Sequence, residues 1–183
     1  MKSIRILIGA AILLISCAAF AQDTVTVGGQ AMYASKDIVD NAVNSADHTT
    51  LVAAVKAAGL VDTLKSKGPF TVFAPTNEAF KMLPEGAVQN LLKPENKDKL
   101  TAVLTYHVVA GDLDYKALRK LIKSGGGQAS LKTVQGEPLT AMMNGDESIV
   151  LKDAQGNIAN ISTYDVRQSN GVIHVIDHVL MPK

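Results

Sequence analysis

The spacing of apolar positions divides the chain into a helical first half and a β-rich second half. In residues 50–58, Leu51 and Val55 recur at helical spacing, and Gly59 follows as a C-terminal stop. After a glycine triplet at 125–127, apolar and polar positions alternate in short runs that glycine-containing turns separate. The pattern predicts an α+β fold in which the helices come mainly from the N-terminal half.

The same patterns give approximate positions for the other elements. Residues 70–74 are predicted as a short strand that Pro75 ends, and Thr76 is placed to cap the helix that follows. Further helices are predicted at residues 98–104 and 114–124, and further strands at 106–110, 131–135, 138–144, 148–153, 157–164, 172–176 and 178–181.

The N-terminus has the features of a secretion signal. Lys2 and Arg5 precede a short apolar run, and Ala19 and Ala21 satisfy the small-x-small cleavage rule. The apolar run is shorter than the ~20 residues that a membrane-spanning helix needs. We therefore predict that residues 1–21 are a signal peptide cleaved after Ala21.

Cys17 offers an alternative end to this signal. The segment Leu14-Ile15-Ser16-Cys17 resembles a bacterial lipoprotein box, in which the cysteine would be lipidated and would become the first mature residue. With cleavage after Ala21, by contrast, the mature chain has no cysteine. It would then form no disulfide and offer no thiol nucleophile, although export would permit disulfides.

Length and composition predict one globular domain. Apolar residues make up 47% of the 183 residues and charged residues 19%, which is typical of a folded protein. Residues 22–33 are small, polar and glycine-containing, and they are predicted as a leader or tether. Residues 34–182 are predicted as the folded domain, which is long enough to need no metal or disulfide for stability.

The charge balance argues against nucleic acid as a partner. Loss of Lys2 and Arg5 with the signal peptide reduces the 18 basic residues to 16, against 17 acidic ones. The mature net charge is therefore near −1, and the basic residues form no stripe of the kind that phosphate backbones require. We predict no nucleic-acid partner, and membrane association only if Cys17 is lipidated.

Histidines are the candidate metal ligands, and their spacing argues against a metal site. His174 and His178 lie in a run predicted as strand, where side chains four residues apart are separated by ~13 Å, too far to share one ion. His107 would have to come from a distant strand. We predict that His107 and His174 are hydrogen-bonded, partly buried sheet residues, and that the protein has no metal or other cofactor.

The sequence also lacks the arrangements that are typical of enzymes. It contains no G-x-S-x-G nucleophile motif, and the glycine triplet at 125–127 follows a predicted helix, whereas a phosphate-binding loop precedes one. We predict that the protein has no catalytic residues and is not an enzyme.

Two blocks at opposite ends of the domain carry a family resemblance. Residues 70–80 are FTVFAPTNEAF, residues 170–182 are NGVIHVIDHVLMP, and Tyr106-His107 lies between them. Together they resemble the fasciclin-like domain family, and the resemblance covers roughly residues 34–182. It implies a wedge-like β-sheet flanked by helices, and an extracellular role in adhesion or binding.

The resemblance also singles out candidate residues for recognition or for maintenance of the fold. Tyr106-His107 corresponds to the family's Tyr-His element, and alternation on a strand predicts that one ring packs in the core. Asp165-Val166 lies where integrin-binding members carry an Asp-Ile pair, whereas the residues alone predict an Asp in a turn and a buried Val. His174 belongs to the closing strands.

We therefore expect a secreted or periplasmic, non-enzymatic module that recognises a cell-surface, matrix or envelope protein or polymer. The alternative is an envelope module that binds a small molecule or lipid in an apolar cleft between helices and sheet. A large apolar cavity would favour the alternative, and a solid core would favour adhesion.

Overall fold

A seven-stranded sheet forms the centre of the domain. The computed structural model describes residues 24–183, so the predicted signal peptide, Cys17 and the cleavage site lie outside the described residues. The strands are β1 (Val25–Val27), β2 (Gln30–Met32), β3 (Phe70–Pro75), β4 (Val108–Ala110), β5 (Gln128–Lys132), β6 (Pro138–Asn144), β7 (Ser148–Lys152), β8 (Ile158–Gln168) and β9 (Gly171–Ile176).

The sheet is nearly closed on itself. Its strands follow the order β4-β3-β9-β8-β7-β6-β5, and every neighbouring pair is antiparallel except β3 and β9, which are parallel. A bridge links Val109 of the edge strand β4 to Thr133, just after β5, and the Val134 N–H donates to the Val108 carbonyl over 2.7 Å. These contacts join the two edges of the sheet.

Helices cover the sheet mainly from the first half of the chain, which confirms the predicted α+β class. They are α1 (Ile38–Ala42), α2 (Thr49–Ala58), α3 (Val61–Lys65), α4 (Asn77–Lys81), α5 (Ala87–Leu91), α6 (Lys97–Tyr106) and α7 (Tyr115–Ser124), with 3₁₀ turns at Ala46–His48 and Pro94–Asn96. Of the helices within residues 24–183, none has the length and hydropathy that a membrane span requires.

The central parallel strands are buried on both faces. In β3, Val72 and Ala74 pack into one apolar cluster with α1, α2 and α6, whereas Phe73 packs into a second cluster with α7 and the β-rich half. Strand β9 divides in the same way, with Val175 in the first cluster and Ile176 in the second. This two-sided burial explains the continuous apolar runs of both strands.

Residues 25–32 form a hairpin, which corrects the prediction of a tether for this segment. Strands β1 and β2 pair in register, and Val27 and Met32 are buried in the helical cluster. The turn residue Gly28 has a φ of +58°, and a Cβ there would meet Ser45 Oγ at 2.5 Å. The sequence gives little sign of this packing because only Val27 and Met32 of this short polar segment are buried.

Two segments that were predicted as strands differ in the structure: one strand starts later, and the other segment is not a strand. Tyr106 is the last residue of α6 and His107 is its C-cap, so strand β4 starts only at Val108. Residues 178–181 leave the sheet because side chains satisfy their backbone: His107 Nε2 accepts from the Leu180 N–H, and Asp153 Oδ2 accepts from the Met181 N–H, each over 3.0 Å.

Candidate functional site

Tyr106 is fully buried and joins the helical half to the β-rich half. Its hydroxyl donates to the Pro138 carbonyl and accepts from the Ala154 N–H, both over 3.0 Å. The ring packs with Phe73 and Leu118 in the second apolar cluster. Burial raises the pKa of this hydroxyl, so it stays protonated and keeps its donor.

His107 is also buried, and both of its ring nitrogens are occupied by backbone groups. Nδ1–H donates to the Val103 carbonyl over 2.8 Å, and Nε2 accepts from the Leu180 N–H over 3.0 Å. Burial lowers the pKa of the imidazole from 6.5 to about 4, so the ring is neutral near pH 7. The expectation that alternation would bury only one ring of the pair is wrong, because the pair ends a helix and both rings lie inside.

His174 sits in a second buried network. Nε2–H donates to the Leu113 carbonyl over 2.8 Å, and Nδ1 accepts from the Asp165 N–H over 3.3 Å. Its ring stacks on Phe73 with 5.7 Å between centroids, and Tyr164 meets it edge-on at 6.0 Å. Burial lowers the pKa of His174, so this ring is also held neutral.

Asp165 lies within strand β8, which corrects the prediction of a turn. It has a left-handed φ of 56°, in a stretch where the register between β8 and β9 shifts. Its carboxylate accepts from the Tyr115 N–H over 2.7 Å, at the start of α7. Val166 is buried, as predicted, whereas Asp165 is half-buried.

The predicted site residues therefore fall into two groups. Asp165 and His174 are hydrogen-bonded to each other, whereas Tyr106 and His107 are chain neighbours that bond to different backbone groups. Within residues 24–183 the structure contains no group of three or more His, Cys, Asp or Glu residues that could hold a metal ion. Burial of these side chains supports their alternative role in the fold, and direct contact with a partner stays a hypothesis.

An exposed polar groove of about 520 Å³ lies where β3 and β9 begin. Two chain segments line it, the α3–β3 connection at residues 65–69 and the β8–β9 turn with its flanks at residues 167–171, together with Asp37 and Asp112. Arg167 pairs with Asp112 at 3.4 Å and with Asp114 at 2.8 Å. The groove thus presents both signs of charge, and part of that charge is already paired.

Asn170 holds the two groove segments together. Its side-chain amide donates to the Ser66 carbonyl over 3.1 Å and to the Leu64 carbonyl over 2.7 Å, and it accepts from the Ile38 N–H over 3.0 Å. Glycine is required on both sides of this contact, because a Cβ at Gly68 would overlap the Asn170 carbonyl and a Cβ at Gly171 would overlap the Phe70 carbonyl. This geometry accounts for the Asn-Gly pair at the start of the second sequence block.

An apolar cavity of about 80 Å³ lies under the helical layer, between α1, α2 and α3 and the face of the sheet. His48 lines it at the end of the first 3₁₀ turn and is only 3% exposed. The sequence alternative of an apolar cleft between helices and sheet corresponds to this cavity, whereas His48 was not among the candidate residues. His48 directly precedes a helix in a polar stretch, and no local pattern there signals that its ring turns inward.

The two sequence blocks lie side by side in this fold as the parallel pair β3 and β9. A family model described as the fasciclin domain matches residues 46–182, three quarters of the chain. The chain belongs to the fasciclin domain family. The predicted family and the fold that it implies are thereby confirmed.

Relatives of this fasciclin-domain chain include bacterial proteins that match it over most of their length. Protein sll1483 of Synechocystis sp. is 45% identical over 161 residues, which cover 88% of this chain and 82% of that protein. The cell surface glycolipoprotein MPB83 of Mycobacterium bovis is 33% identical over 172 residues, which cover 91% of this chain and 70% of that protein.

A solved structure of the same family shares the fold. The FAS1 domain pair of the insect cell adhesion molecule Fasciclin I matches with a TM-score of 0.55 and 25% identity, over 72% of this chain and 43% of that one. Fasciclin domains are thus found in cell-adhesion and surface proteins, which indicates a non-enzymatic adhesion or binding role at this coarse level.

Proposed function

We propose that the protein is an exported, non-enzymatic module that recognises a cell-surface, matrix or envelope protein or polymer. The cell-surface relative and the adhesion-molecule structure support this role, and the predicted secretion signal at residues 1–21 supplies the route of export. The proposal gives His107 and His174 no catalytic role. Every ring nitrogen of these two residues is bonded to a backbone group, which agrees with that assignment.

The observation that carries the proposal is the polar groove at the start of β3 and β9. It is open, and exposed side chains such as Lys67 and Ser169 line it, whereas the family's Tyr-His and Asp-Val positions lie largely inside. An open groove that presents both signs of charge suits a polar partner such as a protein loop or a polysaccharide.

Adsorption of the purified protein to its own cells tests this surface. Ser169→Arg places a bulky side chain in the groove and leaves in place the hydrogen bond that the Ser169 N–H donates to the Lys36 carbonyl. We expect this variant to lose at least about tenfold in adsorption affinity. Ser148→Arg is the matched control, because Ser148 is equally an exposed serine beside a turn but lies outside the groove.

Two results would contradict the proposal. If the protein does not adsorb and a deletion strain attaches normally, adhesion is ruled out as its role. If both serine variants adsorb like the unmodified protein, the recognition surface lies outside the groove.

The form of the exported chain belongs to the same proposal. We expect intact-mass analysis of the exported protein to show a chain that begins at Gln22. A chain that begins at a lipid-modified Cys17 would instead place the protein on a membrane, in agreement with the lipoprotein alternative.

A second candidate function is the binding of a small apolar molecule. The cavity of about 80 Å³ under the helical layer favours it, because close-packed interiors contain few voids larger than one water molecule. The two functions use different parts of the domain and are compatible with each other.

A further inference from the structure

The cavity under the helices has a mainly apolar lining, to which His48 and His107 contribute one ring each. Its lining includes Ile38, Leu51, Val55, Val72 and Ile173 from the helices and the sheet. A void of ~10–15 Å³, about one water-sized sphere, is the smallest that holds a water molecule. A cavity of about 80 Å³ is several times that size and therefore has room for a small organic molecule.

His48 brings an unsatisfied polar atom to this cavity. Within residues 24–183, His48 Nε2 is the one buried side-chain nitrogen or oxygen that has no hydrogen-bond partner. Its Nδ1 lies 2.8 Å from Ser45 Oγ, so Nδ1 has a partner and Nε2 has none. An orphaned buried nitrogen is rare in folded proteins and is costly unless a ligand or water satisfies it.

The cavity also approaches the surface. Among its lining residues, Lys56, Thr63 and Val134 are exposed. Val27 and Met32 of the N-terminal hairpin close another part of it, and the hairpin turn packs on the segment that carries Ser45. A small molecule could therefore enter the cavity by displacing side chains, without breaking hydrogen bonds of the sheet.

We propose that this cavity binds a small neutral lipophile whose single hydroxyl hydrogen-bonds to His48 Nε2. The inference rests on the second proposed function, and it names the class of ligand. The Ser45 hydroxyl can donate to Nδ1 or accept from it, which leaves Nε2 as a donor or as an acceptor, respectively. A ligand hydroxyl satisfies either form, since it both donates and accepts.

The lining argues for a neutral ligand. Burial lowers the pKa of His48 and keeps its ring neutral, and Lys56 among the lining residues is exposed at the surface, so an ionised carboxylate beside His48 would be buried without a countercharge. Burial of an unpaired carboxylate is strongly unfavourable. A hydroxyl requires one partner, and Nε2 supplies it.

Cyclopentanol and cyclopentane test the proposal as a matched pair of probes. They differ by one hydroxyl and have about the size that the cavity admits. Titration of the purified protein, followed by two-dimensional NMR, should show saturable binding of both, with cyclopentanol about tenfold tighter, the effect of one net hydrogen bond. The Nε2 resonance of His48 should shift with cyclopentanol and remain in place with cyclopentane.

Variants separate the cavity from the hydroxyl contact. In His48→Phe the preference for cyclopentanol should disappear while cyclopentane still binds. Val55→Leu reduces the cavity and should weaken both probes severalfold, with Ala42→Val as a milder alternative if the first variant does not fold. Val109→Leu is the matched control, because Val109 is buried in the other apolar cluster and should leave both affinities unchanged.

Each contrary outcome identifies what has failed. If neither probe binds saturably up to its solubility, the second proposed function is wrong and the inference fails with it. If both bind equally well, the cavity takes apolar molecules but His48 recognises no hydroxyl, and the inference alone is overturned. An equal loss in Val55→Leu and Val109→Leu would show that binding does not occur in the cavity. If His48→Phe does not fold, the affinity ratio of the two probes and the His48 resonance in the unmodified protein decide the matter.

Discussion

At the scale of single residues, the buried histidines link distant parts of the backbone. His107 connects the end of α6 to the C-terminal segment, and His174 connects β9 to the loop before α7 and to β8. Each ring donates with one nitrogen and accepts with the other, so only one neutral tautomer fits each site. A substitution must leave at least one buried backbone group without a partner.

Removal of the His107 ring should destabilise the domain strongly. We expect His107→Ala to lower the free energy of unfolding by roughly 2–4 kcal/mol, because the Leu180 N–H loses its acceptor and a cavity remains. Urea denaturation measures this change. His178→Ala is the control, since His178 is partly exposed and bonds only to Asp177, and it should cost less than about 0.5 kcal/mol. An unchanged midpoint in His107→Ala together with lost adsorption would instead make His107 a recognition residue.

The same ring should make stability depend on pH in a defined window. The pKa of His107 falls from 6.5 to about 4 in the folded state, so between these values the unfolded chain binds a proton that the folded chain does not. The free energy of unfolding should therefore decrease as pH falls from about 6.5 to about 4, by roughly 3 kcal/mol from this group. Above pH 6.5 this group should cause no further change of stability with pH. His174 acts in the same direction, because burial lowers its pKa too.

Denaturant titrations at pH 7 and pH 4.5 check this prediction. His107→Gln lacks the titrating group and should lose less stability between the two pH values than the unmodified protein does. His178→Gln should lose as much as the unmodified protein. An equal loss in His107→Gln would show that other groups cause the acid sensitivity.

At the scale of elements, carboxylates from two different places begin helix α7. Asp114 is its N-cap and accepts from the Ala117 N–H over 2.8 Å, while Asp165 of β8 accepts from the Tyr115 N–H over 2.7 Å. Arg167 also bonds to the Asp114 carboxylate. The helix is thereby fixed to the strand through its first turn, where unpaired N–H groups favour negative charge.

Substitution of Asp165 should test this link between α7 and β8. We expect Asp165→Ala to lower the free energy of unfolding by roughly 1–3 kcal/mol, because it removes the acceptor for Tyr115 and leaves a left-handed φ of 56° without a tolerant side chain. Asp165→Asn keeps an acceptor oxygen and tolerates that backbone, so it should cost less than half as much. Urea denaturation distinguishes the two, and Asp146→Ala in an exposed turn is the control. Equal losses in Asp165→Ala and Asp165→Asn would contradict the role of the acceptor.

The elements that the sequence predicted well are those with a local signal. Helix α2 ends at Gly59 with a φ of +74°, and Thr76 caps α4, as the pattern indicated. The errors lie where distant groups decide the outcome. Tyr106 stays in its helix because both rings of the Tyr-His pair find partners far along the chain, and residues 178–181 leave the sheet because side chains take their N–H groups.

At the scale of the whole molecule, the two halves of the interior differ. The cluster inside the β-rich half contains most of the fully buried large side chains, whereas the cluster under the N-terminal helices surrounds the cavity. This contrast was beyond sequence reasoning, because the spacing of apolar residues predicts which face is buried and not how completely the buried side chains fill the space. The groove could not be predicted from the sequence either, because it forms only where two segments about 100 residues apart meet at Asn170.

The overall charge of the molecule sets how its adhesive binding should respond to salt. With residues 1–21 removed, 16 basic residues face 17 acidic ones, and in the groove Lys65 and Arg167 are already paired with acidic neighbours. Long-range attraction to a charged partner is therefore weak, and short-range complementarity should dominate.

Raising the salt concentration from about 0.05 to about 0.5 M shortens the screening length roughly threefold. We expect the affinity of the protein for its cells to change by less than about threefold over this range. Adsorption isotherms at several salt concentrations measure it, with Lys67→Glu as a variant that alters the groove's charge while the overall size stays similar. A steep loss of affinity with salt would show that unpaired charge drives the contact, and it would contradict recognition by the shape of the groove.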